Sequence, residues 1–274
     1  MLPLEKSAVV LLHGLYSTPD ELLSLKGPLQ RNGAEVISFE IEGYTFDVNE
    51  KKPVSSPFEA WVLAVKNKVQ SLKTEGFEKV FLVGISTGAA LALASAMEND
   101  AHCDGLVLLS TSLVQDGWSI PPWHFMINVA LYTPLGVFWR YKEKPPFGVK
   151  NERIRSWIKR ELEQRKISRA GVANLGISHL KQNDRLNRFV KKNLSLVTCP
   201  QILAIHAQED EVASTHNLTI LSSGLKSAVH LQKIIVNNSY HMISIDNDRQ
   251  QVIQETLQFL TNLSRPETEP SRPE

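Results

Sequence analysis

The sequence predicts an α/β fold: a mostly parallel central sheet flanked by helices, with a helical cap inserted between two late strands. Three observations lead there. Short apolar runs alternate with helix-period segments, the pattern made by right-handed crossovers between parallel strands. A small-residue turn, Gly84-Ile85-Ser86-Thr87-Gly88, joins one such run to an alanine-rich helix. Residues 114–198, by contrast, show no strand–helix alternation.

Taken in order, Ala8–Leu12 (AVVLL) is an apolar run stopped by His13-Gly14 and reads as a buried strand. Asp20 can cap a helix reaching about Gln30, which Gly33 would end. Glu35–Phe39 is a second strand, and Phe58 to Leu72 has helical periodicity closing at Gly76. Val80–Val83 is a third strand, leading through the glycine turn into a helix ending near Met97. Leu106–Leu109, Ile202–Ile205 and Val229–Val236 are the later strands, and a last helix runs from about Asp248 to Leu263. The expected core is therefore 1–113 with 199–263, the cap is 114–198, and the proline- and charge-rich tail 264–274 is expected to be disordered.

Composition narrows the class. With 274 residues, 42% hydrophobic and 22% charged, the chain is neither disordered, collagen-like nor a disulfide scaffold. Two cysteines, Cys103 and Cys199, make neither a framework nor a metal site by themselves, and free thiols suit a reducing compartment. A net charge of +1 argues against nucleic acid as a partner. Only Ala8–Leu12 separates Lys6 from the His-Gly turn, too short an apolar region for secretion, so a cytoplasmic location is expected.

The glycine turn carries the chemistry. A sharp strand-to-helix turn lifts a serine Oγ above the sheet, and its strained backbone tolerates only small neighbours. Ser86 is thus the candidate nucleophile. The helix behind it aims the positive end of its dipole at any developing oxyanion. In this arrangement one oxyanion-hole amide comes from the residue after the nucleophile, Thr87, and the other from the turn after the first strand, Leu15. His13 reads as a packing histidine that shapes that turn.

An acid should follow a late strand and a histidine the next one. Ile202–Ile205 leads into His206-Ala-Gln-Glu-Asp-Glu, where Asp210 is the chosen acid; spacing alone also admits Glu209. Glu209 and Glu211 otherwise read as solvated loop charge. The strand Val229–Val236 leads into Asn237-Asn238-Ser239-Tyr240-His241, which makes His241 the base. An unperturbed imidazole there would titrate near ~6.5. Of the other histidines downstream of Ser86, His102 precedes a strand, His124 and His179 lie in the insert, His206 ends the strand before Asp210, His216 falls in a helix and His230 inside a strand.

Together these residues resemble the α/β-hydrolase superfamily, and within it the bacterial carboxylesterase and monoacylglycerol-lipase branch. The carrying segments are VVLLHGLYSTPDEL (9–22), FLVGISTGAALALA (81–94), ILAIHAQEDEV (202–212) and NNSYHMISID (237–246). The resemblance covers about 1–113 and 199–263. It implies a carboxylic-ester hydrolase with Ser86, Asp210 and His241 as triad, no metal and no organic cofactor. A thioesterase or lysophospholipase would use the same triad, and a non-catalytic acyl-binding module would keep only the fold. The chain departs from the branch at three points. It reaches the His-Gly strand almost at once, so the branch's leading hairpin is expected to be absent or minimal, Ala207 stands where glycine is common, and Gly43-Tyr44-Thr45-Phe46 replaces the usual Gly-His-Gly loop.

The insert has its own character. Residues 114–198 hold 16 Lys and Arg against 6 Asp and Glu, a net of +10, while the rest of the chain carries −9. Such a basic cap either attracts an anionic lipid surface or acyl carrier, placing the protein peripherally at a membrane, or is solvated helix surface. Gly117 to Trp139 contains no charged side chain but holds Trp118, Trp123, Phe125 and Trp139. Pro121, Pro122 and Pro134 argue against a membrane span. The stretch reads either as the lining of an acyl pocket for a small-molecule ester or as an interfacial element. The four aromatics are the candidate substrate contacts.

Overall fold

The computed structural model describes residues 2–47, 54–97, 103–121, 131–133, 140–142, 145–165, 167–168, 171–172 and 174–265. Its centre is a six-stranded sheet, every neighbouring pair parallel. The strands are β1 (Ser7–Leu12), β2 (Glu35–Ser38), β3 (Lys79–Ile85), β4 (Gly105–Leu109), β9 (Gln201–Ala207) and β10 (His230–Val236). They lie in the order β10-β9-β4-β3-β1-β2. β1 and β4 are buried along their whole length, as central strands covered on both faces must be.

Side chains alternate between the two faces. From β1, Ala8, Val10 and Leu12 enter one core and Val9 and Leu11 the other. The first core is closed by α2 (Phe58–Thr74) and α3 (Thr87–Ser95), with Leu186 and Val190 of α5 (Ile177–Asn193) and Leu218 and Leu221 of α6 (His216–Gly224). The second is closed by α1 (Leu23–Arg31) and α7 (Arg249–Ser264), joined by Ile158 of α4 (Glu152–Arg165). Each fully buried leucine or valine contributes roughly 1.5–3 kcal/mol against its exposed state. β10 is an edge strand, exposed or half-buried along all but its last residue. Cys103 and Cys199 are buried and free.

Several local expectations shift. Asp20 caps no helix: Pro19–Leu22 is a 3-10 turn, and α1 begins at Leu23. Between β4 and β9 the described residues are not all helical. Besides α4 and α5 they form two antiparallel pairs, β5 (Arg140–Lys142) with β8 (Asn174–Gly176) and β6 (Ile167–Ser168) with β7 (Gly171–Val172). Strands of two or three residues are too short to leave an alternation in sequence. Trp123, Phe125, Trp139 and tail residues 266–274 lie outside the described residues.

The chain order places the site. β2 lies on one side of β1 and β3 on the other, so the sheet's direction of growth reverses between β1 and β3. Loops leaving the carboxyl ends of strands at such a switch point part and leave a crevice. The turns after β1 and β3 are those carrying His13-Gly14-Leu15 and Ser86.

Candidate active site

Ser86 sits between β3 and α3 with φ 55° and ψ −117°, a conformation disfavoured for a residue with a side chain. The surroundings enforce it. A Cβ on Gly84 would run into the backbone of Gly88 and Ala89, and one on Gly88 into the carbonyls of Leu12 and His13. Both glycines are therefore required for α3 to pack against the ends of β3 and β1. The Ser86 N–H donates to Leu109 O at 2.9 Å, tying the turn to β4. Thr87 is the first residue of α3, so its N–H has no intrahelical acceptor.

The turn after β1 is held from two sides. His13 is buried; its Nε2 lies 2.9 Å from Thr45 Oγ1 and its ring stacks on Tyr44. The Tyr44 hydroxyl in turn donates to His13 O. The Gly43-Tyr44-Thr45-Phe46 loop thus supports the turn expected to carry the Leu15 amide. On the other side, Gly14 N–H donates to the buried carboxyl of Glu21, which sequence reasoning missed. Burial pushes Glu21 up to about 7, with the Gly14 hydrogen bond opposing.

Asp210 and His241 come together after β9 and β10. His241 Nδ1 lies 2.8 Å from Asp210 Oδ2 and 3.0 Å from Oδ1. Asp210 Oδ1 also accepts the N–H groups of Val212 and Ala213, at 2.9 and 2.8 Å. Burial disfavours the Asp210 carboxylate, yet His241 holds it below the usual carboxylate range. Burial likewise disfavours the imidazolium, but the Asp210 charge and hydrogen bond, with Glu211 and Glu21 behind them, push His241 up to about 9. That lies well above the value of an unperturbed imidazole.

The contact between Ser86 and His241 is not closed. Ser86 Oγ is turned to Ser112 Oγ, 3.3 Å away, and makes no hydrogen bond to His241. His241 Nε2 is buried without a hydrogen-bond partner. Hydrogen bonds of this kind commonly tighten only when substrate is present.

The three acidic residues in sequence divide sharply. Glu209 is a surface residue paired with Lys150 at 2.6 Å. Glu211 is not solvated loop charge: it is 3% exposed, and its Oε2 accepts the His241 N–H at 3.0 Å. Trp118 is 60% exposed; its Nε1 donates to Glu209 O and its ring meets Tyr240 edge-on. It packs along the loops that follow β9 and β10. From the insert, Asn183 reaches Thr87, whose Oγ1 donates to Asn183 Oδ1 at 2.9 Å. Among the described residues no cluster of His, Cys, Asp and Glu could hold a metal ion, and no helix is long and apolar enough to cross a membrane.

A parallel sheet with a strained serine turn at its switch point defines an α/β-hydrolase, and the chain is a serine hydrolase. It belongs to the Hydrolase_4 family, described as serine aminopeptidase, S33, which matches residues 4–248. A thermostable monoacylglycerol lipase of Bacillus sp. (strain H-257) is 25% identical over 251 residues, 92% of this chain and 89% of the relative. Among solved structures, the monoacylglycerol lipase of Paleococcus ferrophilus superposes with a TM-score of 0.76 at 19% identity, covering 94% of this chain and 95% of its own. A soluble variant of monoglyceride lipase from Saccharomyces cerevisiae gives 0.79 at 14% identity, covering 96% and 88%.

Proposed function

We propose that the protein hydrolyses carboxylic esters of medium or long acyl chains, with Ser86 as nucleophile, His241 as base and Asp210 as its buried partner. The observation that carries this reading is the Asp210–His241 pair, 2.8 Å apart on the loops after β9 and β10. It belongs to the same end of the sheet as the strained Ser86 turn. Ser86 Oγ attacks the ester carbonyl as its proton passes to His241 Nε2. The N–H groups of Leu15 and Thr87 receive the developing oxyanion. The alcohol departs with the proton from His241, and water then releases the acid by the same path. Asp210 fixes the proton on Nδ1 and stabilises the imidazolium.

The acyl preference rests on the uncharged, aromatic stretch from Gly117 to Trp139. Each buried methylene adds about 0.8 kcal/mol of transfer energy, so kcat/KM rises from acetyl esters upward until the pocket is full. The test is a panel of p-nitrophenyl esters, monoacylglycerols, acyl-CoAs, lysophospholipids and aminoacyl amides, beside fluorophosphonate labelling. Labelling lost in Ser86→Ala, with longer esters preferred to acetate, supports the reading. Faster turnover of aminoacyl amides would move the activity toward peptides. A folded protein that neither labels nor turns over any ester would be a binding module.

A further inference from the structure

We propose that Glu211 is a positioning residue for the base: its carboxyl holds the His241 main chain while its neighbour Asp210 holds the ring. This rests on the reading of His241 as the base. Both polar main-chain groups of His241 are engaged by buried side chains. The N–H donates to Glu211 Oε2 at 3.0 Å, and the carbonyl accepts from Ser110 Oγ at 2.6 Å. The ring is engaged by Asp210 at 2.8 Å. Two adjacent residues of one loop therefore fix backbone and imidazole of the same histidine.

That loop is itself anchored. Glu211 O accepts from the N–H and the Oγ of Ser119, at 3.1 and 2.8 Å, and Gly117 N–H donates to Val212 O at 3.0 Å. Gly117 lies so close to the Glu211 and Val212 backbone that a Cβ there would collide with it. With its main chain strapped on one side, Glu211 reaches out on the other, and a rigid support is what a base needs. Misplacement of a reacting group by about 1 Å costs on the order of 100-fold in rate.

Burying a carboxyl is unfavourable, and burial indeed pushes Glu211 above the ordinary carboxylate range, with the Asp210 charge adding to it and His241 opposing. The charged or titratable groups around it are Asp210 and His241. Beyond these stand Glu21, which faces His241, and His206, whose Nε2 lies 3.4 Å from Asp210 Oδ2. When ionised, Glu211 raises the proton affinity of the base through its charge as well as fixing its position. The two effects separate by substitution. Glu211→Gln keeps an acceptor oxygen and loses the charge; Glu211→Ala loses both.

The experiment compares wild type, Glu211→Gln, Glu211→Ala and the surface control Glu209→Gln, in steady-state kinetics across pH and in NMR titration of the His241 imidazole. Glu211→Ala is expected to lose about 10- to 100-fold in kcat, with KM changed less than about twofold. Glu211→Gln is expected to recover most of that kcat at alkaline pH, and to titrate His241, with its acid limb, at lower pH. Glu209→Gln behaves as wild type. If Glu211→Ala does not fold, Glu211→Met, which keeps the bulk but has no carboxyl oxygen, takes its place in the comparison. Wild-type kcat in Glu211→Ala, or a Glu211→Gln variant as impaired in kcat as Glu211→Ala across pH, overturns the proposal. An active His241→Ala protein would instead refute the base assignment, independently of Glu211.

Discussion

Replacing Asp210 by asparagine changes one atom, and the structure dictates which way the new amide turns. Oδ1 of Asp210 already accepts two main-chain N–H groups, from Val212 at 2.9 Å and Ala213 at 2.8 Å. The asparagine oxygen must keep that place, because turning the NH2 toward two N–H donors would leave buried donors facing donors. Its NH2 then occupies the Oδ2 position, 2.8 Å from His241 Nδ1 in the wild type. A donor there favours Nδ1 as the acceptor, because the oxygen 3.0 Å away at the Oδ1 position already serves two N–H groups, and so puts the ring proton on Nε2. That nitrogen can no longer take a proton from Ser86, and the imidazolium has lost its counter-charge. The expected loss is about 10⁴ in kcat, or ~5.4 kcal/mol at ~1.36 kcal/mol per decade, with KM little changed. The assay is p-nitrophenyl ester hydrolysis by purified, folded Asp210→Asn protein, with fluorophosphonate labelling rates as a substrate-independent check. A variant within about tenfold of wild type would refute the tautomer argument and the choice of Asp210.

Three further expectations can be checked with the same protein. Because the imidazole must be neutral to act as base and is pushed up to about 9, kcat/KM of the wild type should keep rising with pH beyond neutrality. Well below that value it should fall about tenfold per pH unit, and a profile flat from pH 7 upward would contradict the shift. Gly88→Ala drives a methyl into the Leu12 and His13 carbonyls; thermal or urea unfolding should show a loss on the order of 3 kcal/mol, together with lost labelling of Ser86. The basic insert is tested by reversing Arg153, Lys159 and Arg160, which are exposed on α4, to glutamate. Arg155 is left alone because its guanidinium holds Val149 O and Lys150 O. If the insert steers anionic partners, the reversal weakens low-salt binding to anionic vesicles and kcat/KM for anionic acyl substrates, sparing neutral short esters. Equal salt dependence for both substrates would mark the charge as solvated surface.

What the sequence determined by itself is what local pattern encodes. Central strands are short unbroken apolar runs because both faces are covered, so β1 and β4 were legible except for their first residues, Ser7 and Gly105. The Ser86 turn was legible because only glycine fits where α3 meets the ends of β3 and β1, and that requirement is written into positions 84 and 88. Chain order then offered His241 and, as its acid, Asp210 with Glu209 as the alternative. Which neighbouring carboxylate meets the histidine ring depends on tertiary structure. Successive loop residues point in different directions, so one meets Lys150 at the surface, one the ring of His241 and one its main chain. Spacing along the chain carries no information about that choice. Nor did it single out Glu21, whose partner Gly14 is reached only when the 3-10 turn folds back over the end of β1. The short strands of the insert left no pattern because two or three residues are too few to show a period, and β5 pairs with β8 across a long stretch of chain.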